Sequence, residues 1–147
     1  MIEIGTMTEY DAELAESMGK LLTDLSAHYD GEAVSRERLE EIIESPWHDI
    51  LLAFDDEKLV AIASVSVIMG ALVGRNEYLE DFVVAKDYQG QGVGAQMWDK
   101  IVEWGKAKGC RRLEFTSSGK GKKIGAVRFY QKHGAEIRDT NSFRFEL

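Results

Sequence analysis

The order of periodicities along the chain predicts an α/β domain built on a mixed sheet. Three observations carry this: helical apolar spacing in the first quarter, a hairpin signal at mid-chain, and a glycine-rich turn that hands a strand to another amphipathic helix. A short strand, Ile2 to Met7, runs into Thr8, which is placed to cap a helix from Glu9 to about Ser26 with Leu14, Met18, Leu21, Leu22 and Leu25 on one face. Ser35 caps a second helix, which must end before Pro46 because the residue preceding proline is pushed out of the helical region. Asp49 to Phe54 and Lys58 to Met69 are apolar and rich in β-branched residues, with Asp55-Asp56-Glu57 as the turn between them.

Arg75 to Val84 reads as a further strand. From Gly92 to about Lys108, Val93, Met97, Ile101, Val102 and Trp104 recur at helical spacing, and Gly109 stops the helix. Arg111 to Thr116 is expected as a strand, Gly125 to His133 as a helix closed by Gly134, and Ser142 to Leu147 as a last strand. With no repeat, no low-complexity tract and a single proline, the 147 residues read as one domain.

Composition narrows the function. No apolar run approaches the ~20 residues of a membrane-spanning helix, and the start, MIEIGTMTEYDAEL, lacks the basic flank and apolar stretch of a secretory signal, so the chain reads as cytoplasmic with no membrane partner. Cys110 has no second cysteine to pair with and reads as a reduced, packed thiol. One Cys and three dispersed His give no metal-ligand spacing, so no metal is expected. A net charge of −8 argues against nucleic acid as a partner. The charge is also polarised: residues 1–60 hold 16 acids and 4 bases, whereas the remainder holds 10 acids and 14 bases. Such a split suits one part meeting a cation and the other an anion.

The clearest chemical signal is Gln89-Gly90-Gln91-Gly92-Val93-Gly94, between a strand and an amphipathic helix. Glycines let backbone approach a ligand, and the helix start offers unpaired N–H groups and a partial positive charge, a combination suited to a pyrophosphate. Neither common nucleotide fingerprint fits. The glycines are spaced two and two, late in the chain, unlike G-x-G-x-x-G, and around Gly121-Lys122 the P-loop pattern fails at Thr116 and at Lys123.

This segment resembles the Q/R-x-x-G-x-G/A loop of the GNAT N-acetyltransferases, whose backbone amides hold the pyrophosphate of acetyl-coenzyme A (acetyl-CoA). YLEDFVV, Tyr78 to Val84, resembles the strand before that loop, most closely in the diamine (polyamine-type) acetyltransferases, and AVRFYQKHGAE, Ala126 to Glu136, resembles the family's last helix. The ending RFYQKHGAEIRDTNSFRFEL is also similar to bacterial acetyltransferases acting on small amino-alkyl compounds. Lys123 stands where the family often has Asn.

The resemblance implies the acyl-CoA N-acyltransferase fold over residues 1–147, a mixed, mostly antiparallel sheet of six to seven strands with four helices, and it admits a homodimer. It further implies acetyl-CoA as co-substrate, contacted by Phe82, Val83, Val84, Gln89, Gly90, Gln91, Gly92, Val93, Gly94 and Ala95, with the oxyanion met by backbone N–H groups of Phe82 to Val84.

Acetyl transfer to an amine needs a neutral acceptor, a stabilised oxyanion and a proton for the departing thiolate. Glu80 is the expected base, and by strand alternation it faces opposite to Asp81, which the resemblance assigns to holding the cationic acceptor. Tyr130 is the expected acid, with Phe129 beside it as the better core residue. His133 reads as a helix-end histidine. Lys86, Lys120, Lys122, Lys123, Arg128 and Lys132 are cations available to the coenzyme phosphates. The acceptor expected is a small cationic primary amine. The alternatives are a protein N-terminal or lysine acetyltransferase, which needs an open groove, and a non-catalytic acyl-CoA-binding module, which needs neither Glu80 nor Tyr130.

Overall fold

Asp11 starts the first helix by accepting a hydrogen bond from the Leu14 N–H at 2.7 Å. In the computed structural model, which describes residues 1–117 and 124–147, α1 therefore spans Ala12–Leu22. Thr8 is not the cap: Asp11 satisfies one of the orphan donors, so the helix begins three residues later than expected. It also ends at Leu22, with Thr23 as its last cap. Ser35 caps α2 (Arg36–Glu44) as expected, its hydroxyl accepting from the Arg38 N–H, and the helix stops before Pro46.

The sheet runs β1 (Ile2–Thr6), β2 (His48–Asp55), β3 (Lys58–Gly70), β4 (Gly74–Val84) and β5 (Leu113–Glu114), hydrogen-bonded in that order. The first four strands pair antiparallel, and β5 joins β4 in parallel. Asp56, at φ 53, makes the β2–β3 turn. α3 (Val93–Ala107) follows β4, and Gly109 at φ 74 ends it.

Helices cover both faces. Met18, Leu21 and Leu39 from α1 and α2 pack with Ile50, Leu52, Ile62 and Val83 into one core. The opposite face carries Leu51, Ala53, Ala61, Ala63 and Leu79, all buried, and α3 packs over it with Val93, Met97 and Ile101. Residues 116–147 form a second compact unit, containing α4 (Ile124–Lys132) and Gly134 at φ 88.

Five strands are found among the described residues, against the six to seven expected. Arg111 to Thr116 contributes only Leu113–Glu114, and residues 142–147 join no ladder. The alternation of Phe143, Phe145 and Leu147 is present, but all three are highly exposed, and alternation makes a strand only where a partner strand accepts its backbone bonds.

Glu77 is a buried carboxyl on the α3 face of β4. It is 2% exposed, lies against Gly105 of α3, and its Oε1 has no hydrogen-bond partner among the described residues. Loss of solvation pushes its pKa from 4.5 to about 8. Burial, reinforced by Glu77 and opposed by Arg75, also raises the Cys110 thiol above its ordinary value, in keeping with an unreactive cysteine. Between pH 4.5 and 8 the folded chain holds a proton on Glu77 that the unfolded chain has lost, so stability falls as pH rises through that window. Glu77→Gln should flatten the fall in Tm between pH 5 and pH 8 measured by thermal denaturation. Parallel Tm–pH curves for the two proteins would show that Glu77 is ionised in the folded chain.

Candidate functional site

The glycine loop is held from within. A short helical turn, Lys86–Tyr88, leads out of β4, and the Tyr88 hydroxyl donates to Asp55 Oδ2 at the end of β2, 3.0 Å away. The Gln89 amide donates to the Val84 carbonyl at 3.0 Å, and the Gln91 amide donates to the Asp87 carbonyl. Both glutamine side chains thus bond to the loop's own backbone.

Gly90 and Gly92 have φ 75 and 85, left-handed values that cost other residues ~1–2 kcal/mol, and a Cβ on either would meet no protein atom within 4 Å. Among the described residues, nothing stands over the backbone there. Gly92 is the N-cap of α3, with no side-chain cap hydrogen bond and no acid in the first turn. The first bond of the helix runs from the Gln96 N–H to the Gly92 carbonyl, so the N–H groups of Val93, Gly94 and Ala95 have no acceptor within the helix. Val93 is buried and anchors this end. An uncapped, positively polarised helix start beside open space is a place for an anion.

The pairing of β3 with β4 breaks where the two candidate carboxylates lie. Ala63 stands opposite Phe82 and Val65 opposite Leu79, so two residues of β4, Glu80 and Asp81, face one residue of β3, Ser64. This is a bulge, and it overturns the expectation that Glu80 and Asp81 face opposite ways. Leu79 and Phe82 share the face of Val65 and Ala63, toward α3, which puts both acids across from Ser64 on the face covered by α1 and α2. The Ser64 hydroxyl donates to Asp81 Oδ2 at 3.1 Å. Asp81 is half-buried, whereas Glu80 is exposed.

The far edge of β4 opens just below the bulge. β5 pairs only with Glu77 and Tyr78, and the Ala85 N–H donates to the Val60 carbonyl at 2.8 Å. By alternation the amide of Val83 also turns toward β3, while those of Phe82 and Val84 turn to the side away from it. Of the three residues expected to contact the oxyanion, the geometry thus separates Val83 from the other two.

Asp81 and Ser64 line a pocket of about 210 Å³ between α1, α2 and the sheet. Its walls are mostly apolar, from Met18, Leu22, Leu39, Ile42 and Ile62, with Arg38 among them. Arg38 and Ser64 were not singled out in the sequence, because nothing in local composition says that an exposed α2 arginine and a β3 serine meet one cavity.

In the second unit, Tyr130 is half-buried on α4, its ring edge-on to Phe129 at 5.5 Å, and burial raises its hydroxyl above the ordinary phenol value. The His133 Nδ1 lies 2.8 Å from the Phe129 carbonyl, as befits a helix-end histidine. Arg128 and Lys132 are exposed on the same helix. Lys86 is paired with Asp24 at 3.0 Å, and Lys120, Lys122 and Lys123 lie outside the described residues.

The model of the acetyltransferase (GNAT) family matches residues 18–135. Thialysine N-epsilon-acetyltransferase of Sus scrofa is 39% identical over 83 residues, covering 54% of this chain and 48% of that protein, so the match spans about half the length of that relative. Among solved structures, the aminoglycoside acetyltransferase meta-AAC0020 from an uncultured soil metagenomic sample, in complex with sisomicin, matches with a TM-score of 0.84 at 16% identity, covering 99% of this chain and 96% of that one. Aminoglycoside N-acetyltransferase AAC(6')-Iy in complex with CoA matches with a TM-score of 0.80 at 21% identity, covering 99% and 95%. At these identities the structures establish a shared fold.

Gly92→Val should weaken acetyl-CoA binding by ~10-fold or more in calorimetric titration, because a β-branched side chain would fill the open space above the loop and resist the left-handed backbone. Unchanged affinity in a folded variant would reduce the loop to a turn.

Proposed function

This chain belongs to the acetyltransferase (GNAT) family, and on that premise we propose that it transfers the acetyl group of acetyl-CoA to the primary amine of a small acceptor whose reacting end is cationic. The observation that carries this reading is the β4 bulge at Glu80 and Asp81 beside a mostly apolar pocket that Asp81 lines. The uncapped start of α3 supports the coenzyme half of the reading, since it suits a pyrophosphate. The pocket has a volume of about 210 Å³. Such a pocket suits the amine end of a short alkyl chain, and a polypeptide amine would call for an open groove.

In the proposed reaction Asp81 holds the acceptor's ammonium, and Glu80 takes its proton, directly or through water. An alkylamine with a pKa near ~10 is otherwise almost wholly protonated at neutral pH. The amine nitrogen attacks the thioester carbonyl carbon, a C–N bond forms, and the tetrahedral oxyanion is met by backbone N–H on the outward side of β4, Val84 being the candidate donor. The C–S bond then breaks and the departing thiolate takes a proton from Tyr130. The proton still carried by the new amide nitrogen passes to the Tyr130 phenolate, directly or through water, while Glu80 releases its proton to solvent. The role of Tyr130 comes from the likeness of 126–136 to the family's last helix, and burial keeps the phenol in its donor form. Arg128 and Lys132 are the candidate cations for the coenzyme phosphates.

Thiol release from acetyl-CoA, measured against diamines, aminoglycosides, amino-alkylphosphonates and peptides, tests the reading; turnover is expected with short alkylamines. Release with none of these amines, by a protein that binds acetyl-CoA, would contradict it. Glu80→Gln should lower kcat/KM chiefly below pH ~8 and recover toward pH ~10, where the amine deprotonates unaided, whereas an equal loss at every pH would make Glu80 a positioning group. Tyr130→Phe should cut kcat by ~10²- to 10⁴-fold with little change in coenzyme affinity or Tm. A loss below ~3-fold would assign the acid elsewhere.

A further inference from the structure

The pocket at Asp81 presents two charges of opposite sign, three neutral polar residues, Ser26, Tyr29 and Ser64, and an otherwise apolar lining. Its walls come from α1, the α1–α2 connection, α2, β2 and β3, and the charged residues among those lining it are Asp81 and Arg38. Asp81 sits on the β4 bulge and accepts one hydrogen bond, from Ser64, leaving Oδ1 without a partner among the described residues. Arg38 sits on α2, a helix rich in acids. Arg36, two residues earlier, pairs with Glu40 at 2.7 Å, yet the Arg38 guanidinium has no hydrogen bond or ion pair among the described residues. Leu39 on α2 and Ile62 on the sheet, which also line the pocket, are fully buried. An anion with one free carboxylate oxygen and a cation with no ion pair among the described residues thus line one mostly apolar cavity.

Because the cavity's two charges are of opposite sign and its lining is otherwise mostly apolar, it discriminates between ligands by where their own charges lie. A diamine would set its second ammonium among groups that include the Arg38 guanidinium. A molecule with an amine at one end, methylenes in the middle and a carboxylate at the other would match Asp81, the apolar wall and Arg38 in turn. A guanidinium also suits a carboxylate geometrically, through two parallel N–H···O bonds.

We propose that Arg38 is a specificity residue that receives the carboxylate of the acceptor, so that the substrate class is an ω-amino acid whose distal amine is acetylated against Asp81 and Glu80. This rests on the acetyltransferase reading above. Because Arg38 is exposed on its helix, its contribution is set at that of a partly solvated charge pair, ~1 kcal/mol, which is about fivefold.

The test compares 6-aminohexanoate, 1,6-diaminohexane and hexylamine as acceptors at saturating acetyl-CoA, for the wild-type chain, Arg38→Gln and Arg38→Glu. The wild-type chain should favour 6-aminohexanoate over the diamine by at least about fivefold in kcat/KM, with the difference lying in KM. Arg38→Gln should bring that ratio to within about twofold of unity, and Arg38→Glu should invert it. Preference of the wild-type chain for the diamine, or an equal loss on both acceptors in Arg38→Gln, would overturn the assignment. Turnover of hexylamine or the diamine without turnover of 6-aminohexanoate would sink this inference alone. Absence of turnover with all three, in a protein that binds acetyl-CoA, would sink the acetyltransferase reading together with it.

Discussion

One extra residue in β4 governs the geometry of the candidate site. Because Ser64 faces both Glu80 and Asp81, the strand changes the parity of its side chains between Leu79 and Phe82. Leu79 and Phe82 can then both lie on the α3 side, Val83 can join the core under α1 and α2, and the two carboxylates meet on one face. A regular β4 would send one of the acids under α3, into a layer that already holds the buried Glu77. The Ser64 hydroxyl fixes the orientation of Asp81, and the exposed Glu80 is left to water and ligand.

The same strand separates two electrostatic environments. On the pocket side lies the Asp81 carboxylate. Past Val84 the backbone passes through the glycine loop into a helix start with no acid in its first turn and no side-chain cap, where the exposed polarity is positive. The negative and positive regions are thus joined by about ten residues of chain, as the proposed reaction of a cationic acceptor with an anionic coenzyme requires. The loop's own hydrogen bonds, from Gln89 to Val84 and from Gln91 to Asp87, hold its glycines in left-handed conformations before any ligand arrives.

Element order was legible because its signals are local: Ser35 and Pro46 bracket α2, the hairpin turn falls at Asp56, and Gly92 and Gly109 bracket α3. The start of α1 was misread because Thr8 and Asp11 are both good capping residues, and only the Asp11 bond to the Leu14 N–H distinguishes them. The bulge left no mark in the sequence, since neither Glu80 nor Asp81 is the glycine that flags some bulges; it is a property of the pairing with β3. Glu77 had a signal that went unused, for it shares strand parity with the buried Leu79. Arg38 could not be found locally, because its neighbours along α2 are acids and its significance comes from a cavity shared with β3 and β4. The expected last strand failed for a related reason: alternation at Phe143, Phe145 and Leu147 describes two faces without supplying a neighbour.

The central claim is that the bulge brings both carboxylates to the acceptor's amine, and a crystal structure of the protein with coenzyme A and a short alkylamine tests it most directly. The account predicts the amine nitrogen within hydrogen-bond distance of Asp81 and within one water of Glu80, on the face covered by α1 and α2. An amine bound on the α3 side of the sheet, or held by groups that include neither carboxylate, would contradict it.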